Sequence, residues 1–525
     1  MPELISSLIP YLRTLHGATR IEPIETHISW VLLTGKVVYK IKKPVDLGFV
    51  DFTTLAKRRH FCFEELRLNK RLAPELYIDV VTLTEDDGNV VVNGDGKVVE
   101  YAVRLHQFNP QQQFDVLIEK HQLTFQHIDR LAAIIAEFHR NVESAGEDSD
   151  FGKPATIHAA VTENFRHCLK LANSADTQQL QALQTWSDKE FDNLRTFFTE
   201  RRNQGNIREC HGDLHLGNIA LFHDRVTPFD CIEFNPDFRW IDTISEIAFL
   251  VMDLSSRGRQ DMATRFLNDY LTFSGDYLGV TGLRYYLVYR AMVRAKVEII
   301  RAGQASNEPT QQQTALTHFH HYLELADAFR TTMRPALLIT HGMSGAGKTT
   351  IVRELLKHLP AIHLRSDVER KRLFHLQPTD KSTSAVDRGI YTKQATEQTY
   401  DTLMDMTSSL IGEHWHVVVD ATFLKQAQRN RFRKLAQQQS AHFLILDFTA
   451  DADTLRQRVL SRSRQKDAIS EASLEVLENQ LESYQPLQDS EQPFRVDVDT
   501  RQQPDIQSLA QLIRSRCNEM SSGIY

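Results

Sequence analysis

The sequence predicts two domains of different classes. An α+β domain is expected over residues 1–332, and an α/β domain with a parallel sheet over residues 335–525. A chain of 525 residues is too long for one hydrophobic core. Short strand patterns around one helix indicate a small lobe over about 1–108, and long helical patterns indicate a large lobe over about 109–332. After residue 335, an apolar run leads directly into a glycine-rich loop and a helix, as in α/β proteins.

The composition, with 41% hydrophobic and 25% charged residues, is that of an ordinary globular protein. A net charge of −7, with both signs mixed along the chain, argues against a nucleic-acid partner held by bulk electrostatics. Five scattered cysteines without a C-x-x-C pair predict reduced thiols and no zinc site. No apolar run approaches about 18 residues, and the first residues lack a signal-peptide pattern. We expect a cytoplasmic protein without a membrane span, and the oligomeric state stays open.

The small lobe carries two lysines and two glutamates that are candidates for a site. The strand pattern VVYKIKK places Lys40 and Lys42 on one face, because side chains alternate along a strand. A predicted helix over His60–Leu72 carries Glu64 and Glu65. Two lysines on one strand face are also typical of a solvated edge strand, so the strand alone does not indicate a ligand.

A dense polar stretch lies in the large lobe, at Ile207–Glu233. His211, Asp213 and Asn218 are close together in the chain, and Asp230 follows a short apolar strand. Such side chains are costly to bury without partners. Phosphoryl transfer needs this set, with one carboxylate to orient the acceptor hydroxyl and an Asn and a second Asp to hold Mg²⁺. The alternative is a polar loop with capping residues.

The segment HGDLHLGN closely resembles the H-G-D-x-x-x-x-N loop of the aminoglycoside phosphotransferase-like kinases, distant relatives of the protein kinases. The resemblance implies a bilobal, protein-kinase-like fold for the first domain, with ATP between the lobes. It also implies that Asp213 is the catalytic base and that Asn218 and Asp230 are metal ligands.

The same resemblance implies a nucleotide-binding lysine on the upstream strand. The register of YKIK favours Lys42, with Lys40 as the alternative on the same face, and Glu65 or Glu64 would pair with it. The chain departs from the family in the loop that covers the phosphates, since Thr26–Trp30 contains no glycine.

A phosphate-binding loop is predicted where the second domain begins. The segment GMSGAGKT fits the pattern G-x-x-x-x-G-K-[ST], in which glycines turn backbone N–H groups toward phosphate and a helix N-terminus faces the anion. Lys348 would reach the β- and γ-phosphates as a catalytic residue, and the Thr349 hydroxyl would bind Mg²⁺. The alternative is a glycine-rich turn that binds nothing. The expected nucleotide-binding residues are Gly342, Met343, Ser344, Gly345, Ala346, Gly347, Lys348, Thr349 and Thr350.

Two later strands of the second domain lead to aspartates. Asp367 follows the predicted strand Ala361–Leu364, where it could orient or deprotonate an acceptor hydroxyl. It could also cap the helix Val368–Leu373. Asp420 ends the apolar run HVVVD, which suits a Mg²⁺ ligand, although one aspartate capping an apolar strand is common.

A predicted helix over Asp453–Arg464 carries Arg458, Arg462 and Arg464. Arginines in such a lid can neutralise a transferring phosphoryl group, and the alternative is an exposed basic helix. From Pro335 to about Leu512, the order of these motifs resembles small-molecule and polynucleotide 5′-kinase-like P-loop phosphotransferases, including the gluconate-kinase and zeta-toxin-like groups.

Together these features predict a bifunctional kinase that uses ATP and Mg²⁺ and phosphorylates hydroxyls of small acceptors. A second hypothesis is an ATPase or ligand sensor with a degenerate N-terminal kinase fold, favoured by the glycine-free loop. A third is a polynucleotide-type kinase, favoured by Arg370–Arg372 and opposed by the net negative charge.

Overall fold

The structure is a computed structural model and describes residues 3–48, 50–86, 88–305, 307–382, 389–463 and 473–517. The chain forms two compact units. The first comprises residues up to Arg130 with Phe138–Ile157 and Phe198–Asp253. The second comprises Leu131–Glu137, His158–Phe197 and the residues from Leu254 onward. Among the described residues, no helix is long and apolar enough to cross a membrane.

The elements up to residue 256 are, in chain order, α1 (Glu3–His16), β1 (Glu22–Glu25), β2 (Ser29–Leu33), β3 (Val37–Lys42), α2 (Leu55–Asn69), β4 (Tyr77–Asp86), β5 (Asn89–Val92), β6 (Lys97–His106), α3 (Phe114–Glu119), α4 (Phe125–Asn141), α5 (Pro154–Leu171), α6 (Ser174–Asn193), α7 (Arg195–Asn203), β7 (Ile207–Glu209), β8 (Ile219–Phe222), β9 (Arg225–Pro228), β10 (Trp240–Asp242) and α8 (Thr243–Ser256).

The elements that follow are α9 (Gln260–Ser274), α10 (Leu283–Gln304), α11 (Pro309–Arg330), β11 (Ala336–His341), α12 (Lys348–Leu355), β12 (Ile362–Arg365), α13 (Ser366–Leu373), α14 (Lys393–Gly412), β13 (Val417–Asp420), α15 (Gln426–Gln438), β14 (His442–Thr449), α16 (Ala452–Ser463), α17 (Leu474–Ser483), β15 (Arg495–Asp499) and α18 (Ile506–Cys517).

The second unit combines helices from the first predicted domain with the region around the glycine-rich loop. A compact unit groups the elements that pack together, whereas a domain is defined by what can fold alone. The domain boundary expected between residues 332 and 335 therefore stays a prediction.

The first unit contains an antiparallel sheet in the order β1-β2-β3-β6-β4-β5. Helix α1 buries Ile5, Leu8 and Leu12 against this sheet, the spacing of an amphipathic helix. Helix α2 begins at Leu55, earlier than predicted, because the Thr54 side chain accepts a hydrogen bond from the N–H of Lys57 and so caps it.

The second unit contains a parallel five-stranded sheet in the order β12-β13-β11-β14-β15. Strand β11 is buried along its whole length, so it has the continuous apolar run typical of a central parallel strand. Because all strands are parallel, their carboxyl ends meet at one edge of the sheet, where ligands bind in such folds. The predicted α/β class with a parallel sheet is confirmed.

A buried ion pair fixes the chain that follows α17 in this unit. The guanidinium of Arg429 donates from Nε to Glu491 Oε1 at 2.7 Å and from Nη2 to Oε2 at 2.9 Å. Its Nη1 donates to the carbonyl of Phe423 at 2.9 Å. Both side chains are almost fully buried.

We expect Arg429→Met to lower the free energy of unfolding by roughly 3–5 kcal/mol, because it leaves the Glu491 carboxylate buried without its cation. Urea unfolding followed by circular dichroism measures the change. The matched control is Arg431→Met on the same helix, whose exposed pair with Asp401 should contribute less than about 1 kcal/mol. Equal losses in the two variants would contradict this view of the buried pair.

Candidate active sites

The first unit brings two lysines and three carboxylates into one buried cluster. Lys42 donates to Glu65 Oε2 at 2.7 Å and also to Glu233 Oε1. Lys40 lies 2.9 Å from Glu65 Oε1 and 2.5 Å from Asp230 Oδ1. Three carboxylates thus lie beside two ammonium groups.

The two lysines differ in their access to solvent. The Lys42 side chain is fully buried between its two glutamates, whereas Lys40 is 16% exposed and adjoins Asp230. Of the two candidate glutamates, Glu65 contacts both lysines, and Glu64 instead pairs with Arg67 at 2.9 Å. Lys40 therefore lies on the open side of the cluster, and Lys42 on its inner side.

The buried glutamates of the cluster respond differently to their surroundings. Burial opposes ionisation of Glu65, but the charges of Lys40 and Lys42 outweigh it and lower the pKa of Glu65 to about 2. Burial raises the pKa of Glu233, and Lys42 offsets only part of this effect. Glu65 is therefore the permanent anion of the two. Glu233 was not predicted from the sequence, because its only signal is an acidic residue three positions after Asp230.

The HGDLHLGN segment forms a tight loop around Asp213. The Asn218 amide donates to Asp213 Oδ2 at 2.9 Å and to its carbonyl at 3.0 Å, and His215 Nε2 lies 3.3 Å from Oδ2. The N–H of Phe229 donates to the carbonyl of Asn218 at 2.9 Å, which brings the next residue, Asp230, to this loop. Asp230 has a left-handed backbone with φ of 65°. The structure therefore brings the three predicted residues of this site together.

The backbone of this loop is held by two side chains that were not predicted from the sequence. Glu246 on α8 accepts hydrogen bonds from the N–H groups of His211 at 2.6 Å and Gly212 at 3.0 Å. Asp253, two helical turns later, accepts from the N–H of Leu216 at 2.9 Å. The signal was present in the sequence, because α8 is otherwise uncharged and these two acids share one face.

Glu246 also belongs to a buried group of metal-type donors with His139 and Cys210, whose ligand atoms lie within 4.8 Å of one another. Both carboxylate oxygens of Glu246 already accept hydrogen bonds from backbone N–H groups. The Cys210 thiol donates a hydrogen bond to the carbonyl of Ile241 at 3.6 Å. These contacts explain the group as an anchor for the loop.

The turn between β1 and β2 stands where the resembling family has its glycine-rich loop. Thr26 closes this turn, because its N–H donates to the carbonyl of Ser29 at 2.9 Å and its hydroxyl accepts from the N–H of Ser29 at 2.9 Å. Lys43 donates to the carbonyl of Thr26 at 2.5 Å. Two N–H groups of the turn are thus used within the turn itself.

The glycine-rich loop of the second unit connects β11 to α12, as predicted. Gly342 has φ of 145°, and a Cβ there would lie 2.7 Å from the carbonyl oxygen of Phe448, so only glycine fits. The Lys348 ammonium donates to the carbonyls of Gly342 at 2.9 Å and Met343 at 2.8 Å. The N–H of Ser344 donates to Gln480 Oε1 on α17 at 2.8 Å.

The other loop residues support its shape. Met343 packs partly against the core, and Ala346 is buried in it. Gly345 and Gly347 have left-handed backbones with φ of 85° and 79°. Thr350 lies exposed in the first turn of α12.

Oxygen ligands suited to a hard cation meet beside this loop. The Thr349 hydroxyl donates to Asp420 Oδ2 at 2.5 Å, and His363 Nε2 lies 3.4 Å from the same oxygen. Burial opposes ionisation of Asp420, but the hydrogen bond and charge of His363, with Lys348 and Arg365, lower the pKa of Asp420 to about 2. Asp420 therefore stays an anion.

Asp367 lies at the same edge of the sheet, in the first turn of α13. Its Oδ2 lies 3.0 Å from Nη2 of the buried Arg365, and its side chain is about a quarter exposed. The helix begins after Arg365, so Asp367 is not the capping residue that the alternative required.

The arginines of α16 are only partly described. Arg458 donates to the hydroxyl of Thr500 at 3.0 Å, to its carbonyl at 2.5 Å and to the carbonyl of Gly345 at 3.4 Å. It therefore lies against the glycine-rich loop. Arg462 belongs to α16 by its backbone, but its side chain lies outside the described residues, as does all of Arg464.

The loop histidine His211 is held as a neutral imidazole. Its Nδ1 accepts from the N–H of Asp213 at 3.3 Å, which leaves Nε2 to donate to the carbonyl of Phe229 at 2.8 Å. Burial, the largest effect, lowers the pKa of His211 to about 4 despite the nearby Asp213 and Asp230.

Because the unfolded chain takes up a proton at His211 near pH 6.5 and the folded chain only near pH 4, folding should weaken as the pH falls between these values. The loss from pH 7 to pH 5 should be roughly 2 kcal/mol for this residue. Urea unfolding at both pH values of wild type and His211→Asn isolates its share. An equal pH dependence in both proteins would contradict it.

The comparisons with known proteins follow the two regions. Residues 59–283 match the family model described as the phosphotransferase enzyme family, and residues 337–487 match one described as an AAA domain. Uncharacterised proteins of Mycobacterium tuberculosis and Mycobacterium bovis are 28% identical over 444 residues, covering 84% of this chain and 86% of theirs.

Two solved structures are among those that are similar to parts of the chain. A gluconokinase from Sinorhizobium meliloti is 17% identical and covers 35% of this chain and 91% of its own, with a TM-score of 0.25. A choline kinase from Cryptosporidium parvum is 12% identical and covers 59% of this chain and 89% of its own, with a TM-score of 0.36.

The two family matches confirm the expected order of an aminoglycoside phosphotransferase-like region followed by a P-loop kinase region. They also confirm the predicted class of enzyme. Residues 59–283 match the phosphotransferase family model and residues 337–487 match the AAA-domain model, and these matches identify the chain as an enzyme of the phosphotransferase class.

Proposed function

We propose that the chain is a bifunctional kinase that transfers the γ-phosphoryl group of ATP to hydroxyls of small acceptors at two sites. The observation that carries this proposal is the contact between Thr349 and Asp420, 2.5 Å apart beside Lys348. A hydroxyl and a carboxylate at the end of a glycine-rich loop are the hard oxygen donors that Mg²⁺ prefers.

At the C-terminal site, the loop N–H groups and the N-terminus of α12 would bind the phosphates. Lys348 would leave its two loop carbonyls for the β- and γ-phosphates, and Thr349 and Asp420 would hold Mg²⁺. The bound ion would neutralise charge on the transferring group. Asp367, held by Arg365, would orient the acceptor hydroxyl and take its proton.

At the N-terminal site, Asp213 would take the acceptor proton, and Asn218 and Asp230 would hold Mg²⁺. The exposure of the two lysines supports Lys40 as the phosphate ligand, in place of the Lys42 that the YKIK register favours. Lys42, enclosed by Glu65 and Glu233, would fix the segment after Asp230. The run Val37-Val38-Tyr39 before Lys40 also fits the apolar residues that precede such a lysine.

Small acceptors fit the charge of the chain better than nucleic acid does, because a net charge of −7 gives no general attraction for polyanions. The five cysteines are buried free thiols, which supports a reducing compartment such as the cytoplasm.

A second candidate is a degenerate N-terminal kinase fold that senses a ligand while the C-terminal site hydrolyses ATP. The observation that favours it is the turn closed by Thr26, whose N–H groups at Thr26 and Ser29 are already used. Release of ADP without any acceptor would support this candidate.

We expect Lys348→Ala to remove nucleotide binding at the C-terminal site and to lower its turnover at least about 100-fold, because a buried phosphate loses its cation. Calorimetric titration with Mg²⁺ and a non-hydrolysable ATP analogue should show two sites in wild type and one in the variant. One site falling to none would instead favour the degenerate N-terminal fold. Two sites persisting in the variant would contradict the proposed C-terminal site.

We expect substitutions of Lys40 and Lys42 to have different effects on the kinetics of the N-terminal site. Lys40→Ala should raise the KM for ATP and lower kcat at the N-terminal site about 100-fold, since it removes a phosphate contact. Lys42→Met should mainly lower stability, because it leaves Glu233 buried without a cation while Glu65 keeps Lys40. Both variants are measured in Lys348→Ala protein, where only the N-terminal site would turn over. A larger rise of KM in Lys42→Met would assign the phosphate contact to Lys42.

A further inference from the structure

The edge strand of the parallel sheet, β12, is completed by a side chain from α9. Asn268 Nδ2 donates to the carbonyl of Ala361 at 2.9 Å, and Asn268 Oδ1 accepts from the N–H of His363 at 2.7 Å. Asn268 is only 5% exposed. One side-chain amide thus takes the place of a neighbouring strand along this edge, where backbone groups need partners when buried.

Further contacts hold this helical segment against the elements around β12. Asp269 Oδ2 accepts from Arg353 on α12 at 3.0 Å, and Arg372 on α13 donates to the carbonyl of Thr272 at 3.0 Å. The Tyr277 hydroxyl donates to the carbonyl of His363 at 3.4 Å. Both backbone groups of His363 are therefore bound by side chains that precede the glycine-rich loop by more than sixty residues.

The fixed backbone of His363 sets the direction of a side chain that reaches the candidate metal site. Its imidazole Nε2 lies 3.4 Å from Asp420 Oδ2, the oxygen that also accepts from Thr349. His363 is itself 4% exposed, so the imidazole has little freedom of its own.

We infer that Asn268 is a positioning residue for the C-terminal Mg²⁺ site and acts through His363. This inference rests on the proposed function of that site. Asn268 and Tyr277 lie in the sequence that matches the phosphotransferase family, whereas Asp420 lies in the P-loop segment. One family segment therefore supplies support for the metal site of the other.

The test measures how nucleotide binding by the full-length chain depends on the Mg²⁺ concentration. Each protein is titrated with Mg²⁺ in the presence of a fluorescent ATP analogue, and the signal that Lys348→Ala removes reports the C-terminal site. Asn268→Leu keeps the branched shape of the side chain and removes both hydrogen bonds. The Mg²⁺ concentration at half-saturation should rise about 10-fold, the low end for residues that orient a metal ligand.

A double-mutant cycle separates positioning from loss of structure. If Asn268 acts through the imidazole, Asn268→Leu should raise the Mg²⁺ requirement in wild type but have no further effect in His363→Ala protein. An equal rise in both backgrounds would show a general structural effect and overturn the inference. Asn193→Ala, on an exposed helix end in the same unit, is the control and should leave the Mg²⁺ requirement unchanged.

Tyr277→Phe provides a milder change if Asn268→Leu does not fold. It removes only the hydrogen bond from the Tyr277 hydroxyl to the carbonyl of His363, and it should raise the Mg²⁺ requirement by less than about 10-fold, again only when His363 is present. An unchanged requirement in this variant would overturn the inference. If wild type shows no signal that Lys348→Ala removes, the proposed C-terminal site fails instead, and the two failures are distinguishable.

Discussion

The cost of taking a carboxylate out of water is the constraint on which both candidate sites depend. A buried carboxylate without a donor is several kcal/mol unfavourable, so each one must be faced by a cation or by N–H groups. Glu65 meets two ammonium groups, Glu246 meets two backbone N–H groups, and Asp420 meets a hydroxyl and an imidazole. Since the partners lie on other elements, each pairing also joins parts of the chain that are distant in sequence.

The two candidate sites differ in the groups that hold their loops. The loop around Asp213 is held through its backbone by Glu246 and Asp253, so its shape does not depend on a bound ligand. In the glycine-rich loop, Lys348 and the N–H of Ser344 instead use protein groups as partners. Phosphate would have to replace those partners, which ties nucleotide binding at this loop to a rearrangement of Lys348 and of Gln480 on α17.

The doubled lysines of β3 follow the same physics. A single lysine between Glu65 and Asp230 would leave Glu233 buried alone, and Lys42 supplies its cation. On the side where Lys40 is exposed, Glu65 and Asp230 share this one lysine.

The sequence by itself determined the parallel sheet, the order of the two family segments and the short-range motifs. HGDLHLGN and GMSGAGKT are local, since the chemistry needs residues a few positions apart in one loop. The register of YKIK favours Lys42 but leaves Lys40 as an alternative, because both lie on the same strand face and differ only in burial. Glu233, Glu246 and Asn268 also escaped sequence analysis.

Only the tertiary structure decided the roles of those three residues as partners. Their hydrogen bonds join positions that are far apart in the chain, such as Glu233 with Lys42 and Asn268 with His363. A carboxylate or an amide on a helix has the same local pattern whether it faces water or a buried backbone group. The distinction arises when folding removes water from one side of it, and no short stretch of sequence records which element will be found there.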